Sequence, residues 1–276
     1  MKAILIPAED HDSMPAVLEA ARMIARTFDS YIEGFAVRPS PAAYVSVDPV
    51  SSLAISGAFE TDMTREVKAQ FEAFMQTHVV PRAEDGRNGF SWAWPHDEAI
   101  DDLFIGYRGR VFDLIVVGRP GGAPQNPRMI PLEAALFDSG RPTLLVPPQA
   151  PKTIGRNIVV SWNGSTEQAR TNAFAMPLLR LAEKVTVLTV EGGSVTGPSG
   201  EEAAVHLRRN GITATAITVD PGQRTTGEAI LDYAAAIGCD LLVKSAYTQS
   251  RLRQLIFGGA TRHILAHANL PVLMAH

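Results

Sequence analysis

Short apolar runs alternate with helical patterns of apolar residues along the whole chain, and the series occurs twice. In the first half these runs predict strands near residues 2–7, 31–37, 89–94, 113–117 and 142–146. In the second half they predict strands near residues 156–162, 184–190, 212–219, 240–244 and 271–275. Strands that alternate with amphipathic helices are typical of a parallel sheet with helices on both faces.

Three of these strands recur in the second half as the same kind of apolar strand. They are Ala3–Pro7 with Asn157–Ser161, Asp113–Gly118 with Asp240–Ser245, and Pro142–Val146 with Pro271–Met274. A repeat on this scale predicts two related domains in one chain. We therefore expect an α/β fold of two tandem doubly wound, five-stranded parallel-sheet domains, at residues 1–148 and 152–276. The prolines of Pro147–Pro151 predict a short, stiff linker between them.

Helix starts are marked by N-cap patterns. Ser13, with Pro15 in the first turn, is expected to cap the first helix. Ser165–Gln168 and Thr225–Glu228 have the form of a capping box, in which the first and fourth residues exchange side-chain and backbone hydrogen bonds.

The first half carries an extra segment, residues 38–60, before its third strand. The segment is low in charge and rich in Pro, Ser and Ala, which is compatible either with a lid or partner surface or with a loosely packed loop. It leads into a longer helix whose apolar face consists of Val67, Phe71, Phe74 and Met75.

Composition narrows the class of protein. The net charge of -4 gives no basic face for nucleic acid, so we expect no nucleic-acid partner. The N-terminal apolar run is too short for a signal peptide, and no apolar stretch is long enough to span a membrane. Cys239 is the single cysteine, which excludes an intrachain disulfide and favours a cytoplasmic location. We interpret it as a small buried residue.

The loops after the first and fourth strands of each half are the expected ligand sites, because ligands bind doubly wound sheets where the strand order reverses. After the fourth strand the first half reads Gly118-Arg119-Pro120-Gly121-Gly122. The second half reads Ser245-Ala246-Tyr247-Thr248 and reaches Gly258-Gly259-Ala260-Thr261 at the start of its last helix. A glycine-rich turn beside a helix N-terminus suits a phosphate group. The glycines of residues 118–122 are equally compatible with an ordinary turn, and Gly258-Gly259 with a tight helix start.

Two other groups of residues permit metal chemistry. Glu9-Asp10-His11-Asp12 could hold a metal ion or form a solvated loop. His263 and His267 have the spacing of paired zinc ligands, but no third ligand lies in register, so packing near the end of the helix explains them as well.

These features together resemble the universal stress protein family over essentially the whole chain, as a tandem pair. The ending Arg262–Leu273 is similar to the family's helix followed by a Pro-Val-Leu strand. The family's nucleotide-binding members carry Gly-x2-Gly-x9-Gly-(Ser/Thr) after the fourth strand and an acidic residue at the end of the first. The resemblance implies a Rossmann-like fold of the adenine nucleotide alpha hydrolase type, and ATP or a related adenine nucleotide as the ligand.

Each half keeps a different part of that motif. The first half has Gly118 and Gly121, but Pro131-Leu132 stands where the family has Gly-Ser, and proline has no N–H for a phosphate. The second half replaces the first two glycines by Ser245 and Thr248 but keeps Gly258-Gly259. The strand-one acid corresponds to Glu9 and Asn163. The candidate binding residues are Asn163, Val190, Ser245, Thr248, Gly258, Gly259, Thr261, Gly118 and Gly121, and the second half is the preferred site.

The resemblance implies a cytoplasmic stress-response or regulatory protein without catalytic residues. It also implies an internal pseudo-dimer paired through the fifth strands, Pro142–Val146 and Pro271–Ala275, and leaves a further homodimer and an unidentified protein partner open. Two alternatives remain at this point. One is a nucleotide-free interaction module that uses residues 38–60, and the other is a slow ATP hydrolase that uses Asn163 and Lys244.

Overall fold

The structure, a computed structural model, describes residues 1–38, 52–84, 89–123, 125–246 and 259–276, with side chains in the helix that starts at Ser52 described from Met63 onward. The chain divides into two compact units, Met1–Arg141 and Pro142–His276. The strand that follows Pro142 therefore groups with the second unit, although its position in the repeat assigns it to the first domain.

The first unit is an α/β domain. Its elements are β1 (Ala3–Ala8), α1 (Met14–Phe28), β2 (Tyr31–Arg38), α2 (Ser52–Thr77), β3 (Ser91–Ala93), β4 (Ile100–Asp101), α3 (Leu103–Gly109), β5 (Leu114–Gly118) and α4 (Met129–Asp138). The strands lie in the order β3-β2-β1-β5 and pair in parallel. Both central strands are apolar at consecutive positions that are fully buried, as expected for parallel strands covered on both faces.

The second unit repeats this plan. Its elements are β6 (Thr143–Val146), β7 (Asn157–Ser161), α5 (Thr166–Leu179), β8 (Lys184–Val190), α6 (Gly200–Arg209), β9 (Ala214–Val219), α7 (Thr226–Ala236), β10 (Leu241–Val243), α8 (Gly259–His267) and β11 (Val272–Met274). The strand order is β6-β11-β10-β7-β8-β9, with parallel pairs from β11 to β9.

The predicted strands are all present, with ends that differ from the prediction by at most two residues. The strand β4 was not predicted. It has two residues, too few for a hydrophobic pattern, and it pairs with the end of β2 through Val37↔Ile100 and Arg38↔Asp101.

The fifth strands of the two halves pair with each other as predicted. The strands β6 and β11 are antiparallel, with Leu144 opposite Leu273. Both leucines are fully buried. This pairing explains why β6 belongs to the second compact unit.

Two of the helix starts differ from the prediction. Ser13 occupies the N-cap position of α1, but its side chain caps no backbone N–H and instead contacts His11. Ser165 accepts a hydrogen bond from the backbone of Gln168, yet the reciprocal half of the box is missing because the Gln168 side chain binds Ser245 and Asn172.

The box at Thr225 and Glu228 is confirmed, and a second one that the sequence analysis missed joins Ser199 to Glu202. The predicted apolar face of α2 is also present, with Val67, Phe71 and Met75 buried and Phe74 half-buried.

Part of the inserted segment 38–60 lies outside the described residues, which exclude 39–51, and the chain is helical from Ser52. Among the helices of the described ranges, none combines the length and the hydropathy that a membrane span requires.

Candidate functional site

Each unit has one point where the strand order reverses. In the second unit β7 lies between β8 and β10. The strands β8 and β9 are added on one side of β7, and β10 and β11 on the other. In the first unit β1 lies between β2 and β5 in the same way. The crevice at the carboxyl ends of these strands is the usual ligand position in such sheets. We call these places the second crevice and the first crevice.

The floor of the second crevice contains a buried hydroxyl group. Ser245 follows β10 and is fully buried. Its backbone N–H donates to Gln168 Oε1 at 2.7 Å, and Gln168 is held in turn by its own hydrogen bond to Asn172. The Ser245 hydroxyl has no hydrogen-bond partner among the described residues. Buried polar atoms usually have a partner, so this hydroxyl is a group that a ligand in the crevice could pair with.

The start of helix α8 lies beside this hydroxyl. Thr261 Oγ1 donates to the carbonyl of Ala246 at 3.1 Å, which fixes the first turn of α8 against the chain that leaves β10. A Cβ atom built on Gly259 would meet no atom of the described part of the chain within 4 Å. The first N–H groups of a helix have no intrahelical partners, and with the helix dipole they favour an anion. Thr248 and Gly258 lie outside the described residues.

Asn163 and Val190 are brought together by the loop that follows β8. The carbonyl of Asn163 accepts from Val195 N–H at 2.9 Å, and the carbonyl of Val190 accepts from Gly193 N–H at 3.1 Å. Asn163 Oδ1 accepts from Ser165 N–H at 3.2 Å, which forms a turn between β7 and α5.

Lys244 is a further residue of this site, and its burial was not predicted from the sequence. Its side chain is 6% exposed, and its ammonium donates to the carbonyl of Ser245 at 3.0 Å, beyond the last paired residue of β10. Burial lowers the pKa of Lys244 to about 8, so the group remains mostly charged at pH 7. The signal in the sequence was its position in the repeat, where the first half has Val117.

The first crevice is filled by the protein's own side chains. Arg128, the residue before α4, donates from Nε to Glu9 Oε1 at 2.5 Å. The other two guanidinium nitrogens donate to the two carboxylate oxygens of Asp102 at 2.9 and 2.8 Å. Both carboxylates are buried. The pKa of Glu9 is raised by burial, an effect that the charge of Arg128 opposes.

Both glycines of the first-half phosphate motif, Gly118 and Gly121, already contact other residues of the protein. A Cβ atom on Gly118 would collide with the ring of Pro127 and lie 3.2 Å from His11 Cε1. Gly121 N–H donates to the carbonyl of Pro127 at 3.3 Å, so this N–H already has an acceptor within the protein. Burial lowers the pKa of His11 to about 4, and its Nδ1 lies 3.2 Å from Ser13 Oγ. The imidazole is therefore neutral at pH 7.

The remaining candidate groups have local structural roles. The rings of His263 and His267 stack with centroids 4.3 Å apart, and no cluster of three His, Cys, Asp or Glu in the described ranges could hold a metal ion. Cys239 is half-buried, where the sequence predicted a buried residue. Burial still raises the pKa of its thiol to about 11, so at neutral pH the thiol is protonated.

Comparison with known proteins supports this architecture. The sequence profile of the universal stress protein family matches residues 156–276. A universal stress protein from Archaeoglobus fulgidus DSM 4304 has a similar structure, with a TM-score of 0.73 and 14% identity over 99% of this chain and 97% of that chain.

Two proteins from Pseudomonas aeruginosa are also similar. One, from UCBPP-PA14, is described as a candidate universal stress protein, and the other, from PAO1, as functionally unknown. Each has a TM-score of 0.54 and 14% identity over 100% of this chain, and the alignments cover 93% and 92% of those chains. Likeness at this identity shows the fold. No protein of curated function matches the sequence.

Proposed function

We propose that this chain, whose second domain belongs to the universal stress protein family, is a cytoplasmic stress-response regulator that binds one adenine nucleotide, in the second crevice. The observation that carries the proposal is the contrast between the two crevices. The second has a buried Ser245 hydroxyl with no partner among the described residues, and a helix that begins at Gly259. The first holds the guanidinium of Arg128 between two carboxylates.

Electrostatics separates the two sites further. The Arg128 cluster contains two carboxylates, Glu9 and Asp102, and one guanidinium, and this excess of negative charge disfavours a phosphate group beside it. The second crevice contributes the buried ammonium of Lys244 and the positive end of the α8 dipole. Two independent sources of positive potential therefore meet where the strand order reverses.

The adenine part of the proposal comes from the family resemblance, and the crevice geometry supports the phosphate part. The end of β8, where Val190 is buried, and the turn at Asn163 form the part of the crevice left for a nucleoside. The free thiol of Cys239 supports a reducing compartment.

Isothermal titration of the full chain with ATP tests the proposal. We expect one ATP per chain, and no binding to a Gly259→Asp variant, because its carboxylate would lie at the helix start in the phosphate position. An acidic residue in the first turn of a helix is favourable, so the variant should fold. Gly122→Asp is the matched control, since Gly122 lies in the first-half loop and a Cβ built on it also has no atom of the described residues within 4 Å.

Wild-type protein that takes up no ATP at millimolar concentration would overturn the proposal. So would equal binding by the Gly259→Asp and Gly122→Asp variants, because the nucleotide would then lie elsewhere.

A further inference from the structure

Lys244 has a buried positive charge at the carboxyl edge of the sheet. The backbone N–H of Lys244 donates to the carbonyl of Leu273, so the residue continues β10 past Val243. Its ammonium reaches the carbonyl of Ser245 at 3.0 Å, past the last residue of β10. An ammonium has three donors, and this hydrogen bond is the one that the described residues supply.

The protein provides no carboxylate for this charge in the described ranges. None of their ion pairs includes Lys244. The sequence of residues 247–258, which continues from this strand end, contains Arg251 and Arg253 but no acidic residue. Burying an ammonium without a counter-charge is expensive, so a negative charge from outside the chain is the expected partner.

The internal repeat shows that the fold itself does not need a lysine here. Val117 is the corresponding residue of the first half, and its side chain is buried to the same degree, 5% exposed against 6% for Lys244. An apolar residue thus fits this position of the sheet. The neighbouring position changes as well, from Gly118 to Ser245, whose buried hydroxyl is unpaired among the described residues.

We infer that Lys244 is a phosphate-binding residue, and that its ammonium recognises a pyrophosphate-type oxyanion at the carboxyl end of β10. The second crevice then selects its ligand chiefly by the anionic end. This inference deepens the proposed nucleotide function and rests on the same crevice, but it depends on the anion alone.

The test compares three probes on the full chain by isothermal titration at fixed ionic strength. They are ATP, adenosine and inorganic pyrophosphate. We expect wild-type protein to bind ATP and pyrophosphate, and adenosine at least about tenfold more weakly. A Lys244→Met variant should bind pyrophosphate about 10- to 100-fold more weakly, the usual loss for a hydrogen bond to a charged group, with little change for adenosine.

Two further variants keep the result interpretable. Lys244→Val carries the residue that the first half has at this position, so it should fold, and it should lose pyrophosphate binding like Lys244→Met. Lys184→Met removes an exposed lysine at the start of β8, at the opposite end of the strand from the crevice, and should bind as wild type does.

The outcomes separate the inference from the proposed function. Loss of pyrophosphate binding in both Lys244 variants supports the inference, even where ATP itself does not bind and the nucleotide proposal fails. Unchanged binding of ATP and pyrophosphate by the Lys244 variants overturns the inference and leaves the nucleotide proposal intact. Wild-type protein that binds neither probe overturns both.

Discussion

Replacing Lys244 by methionine should stabilise the ligand-free protein, although it should weaken ligand binding. The Lys244 ammonium is buried at the end of β10 with one backbone carbonyl as its partner among the described residues. Methionine has a similar length and no charge, and the corresponding position in the first half accommodates an apolar side chain. The substitution therefore removes an unfavourable buried charge without opening a large cavity.

The shift in pKa gives the magnitude. Burial lowers the pKa of Lys244 from its ordinary value of 10.5 to about 8. Each pKa unit corresponds to about 1.4 kcal/mol, so the charged lysine costs the folded state about 3 kcal/mol at pH 7. Between pH 8 and 10.5 the unfolded chain binds more protons at this residue than the folded chain does. The stability of the wild-type protein relative to the variant must therefore rise with pH across that window.

Urea unfolding of the wild-type and Lys244→Met proteins, at pH 7 and at pH 9.5, measures this difference. We expect the variant to be more stable by about 3 kcal/mol at pH 7 and by about 1 kcal/mol at pH 9.5. The exposed Lys184→Met variant controls for loss of a positive charge and should show no such change. Equal stability of the Lys244→Met and wild-type proteins at pH 7, or a difference independent of pH, would show that the ammonium is well solvated and would refute the reasoning.

Two further predictions concern the rest of the fold. Arg128→Met should destabilise the protein by about 3 kcal/mol at neutral pH, because two buried carboxylates lose their shared cation. Without that cation the pKa of Glu9 rises further, so the loss should be larger in thermal melts at pH 8 than at pH 5, and a pH-independent loss would contradict this account. Replacing Leu144 and Leu273 together by Asp should cost on the order of 5 kcal/mol, since both side chains are fully buried in the β6–β11 pair. Unchanged urea unfolding of that double variant would refute the pairing.

The positions of the strands were predictable because they depend on patterns that the chain repeats. Parallel strands buried on both faces need continuous apolar runs, and those runs stand out between helices. The hydrogen bonds at the helix starts were less predictable, because a side chain that bonds to a distant residue is not available to cap its own helix. Gln168 has the right position for a capping box, but its amide group binds Ser245 and Asn172, which lie far along the chain or on the next turn.

The sequence predicted where the two crevices lie, but not which side chains occupy them. The rule that ligands bind where strand order reverses located both crevices, and the altered glycine motif indicated that they differ. Nothing in local spacing connects Arg128 to Glu9, which are 119 residues apart, so the closure of the first crevice was not visible in the sequence. The buried charge of Lys244 was visible only as a departure from the repeat at Val117.

The two crevices differ in where they carry an acidic residue and a cation. In the first half the position at the end of the first strand is Glu9, and it holds a cation that the chain supplies itself, Arg128. In the second half that position is the neutral Asn163, and the cation lies instead on the fourth strand, as Lys244. In the first crevice the cation is already paired with two carboxylates of the chain, whereas the described residues supply no carboxylate to Lys244. The proposed function therefore predicts one bound anion per chain, and not two.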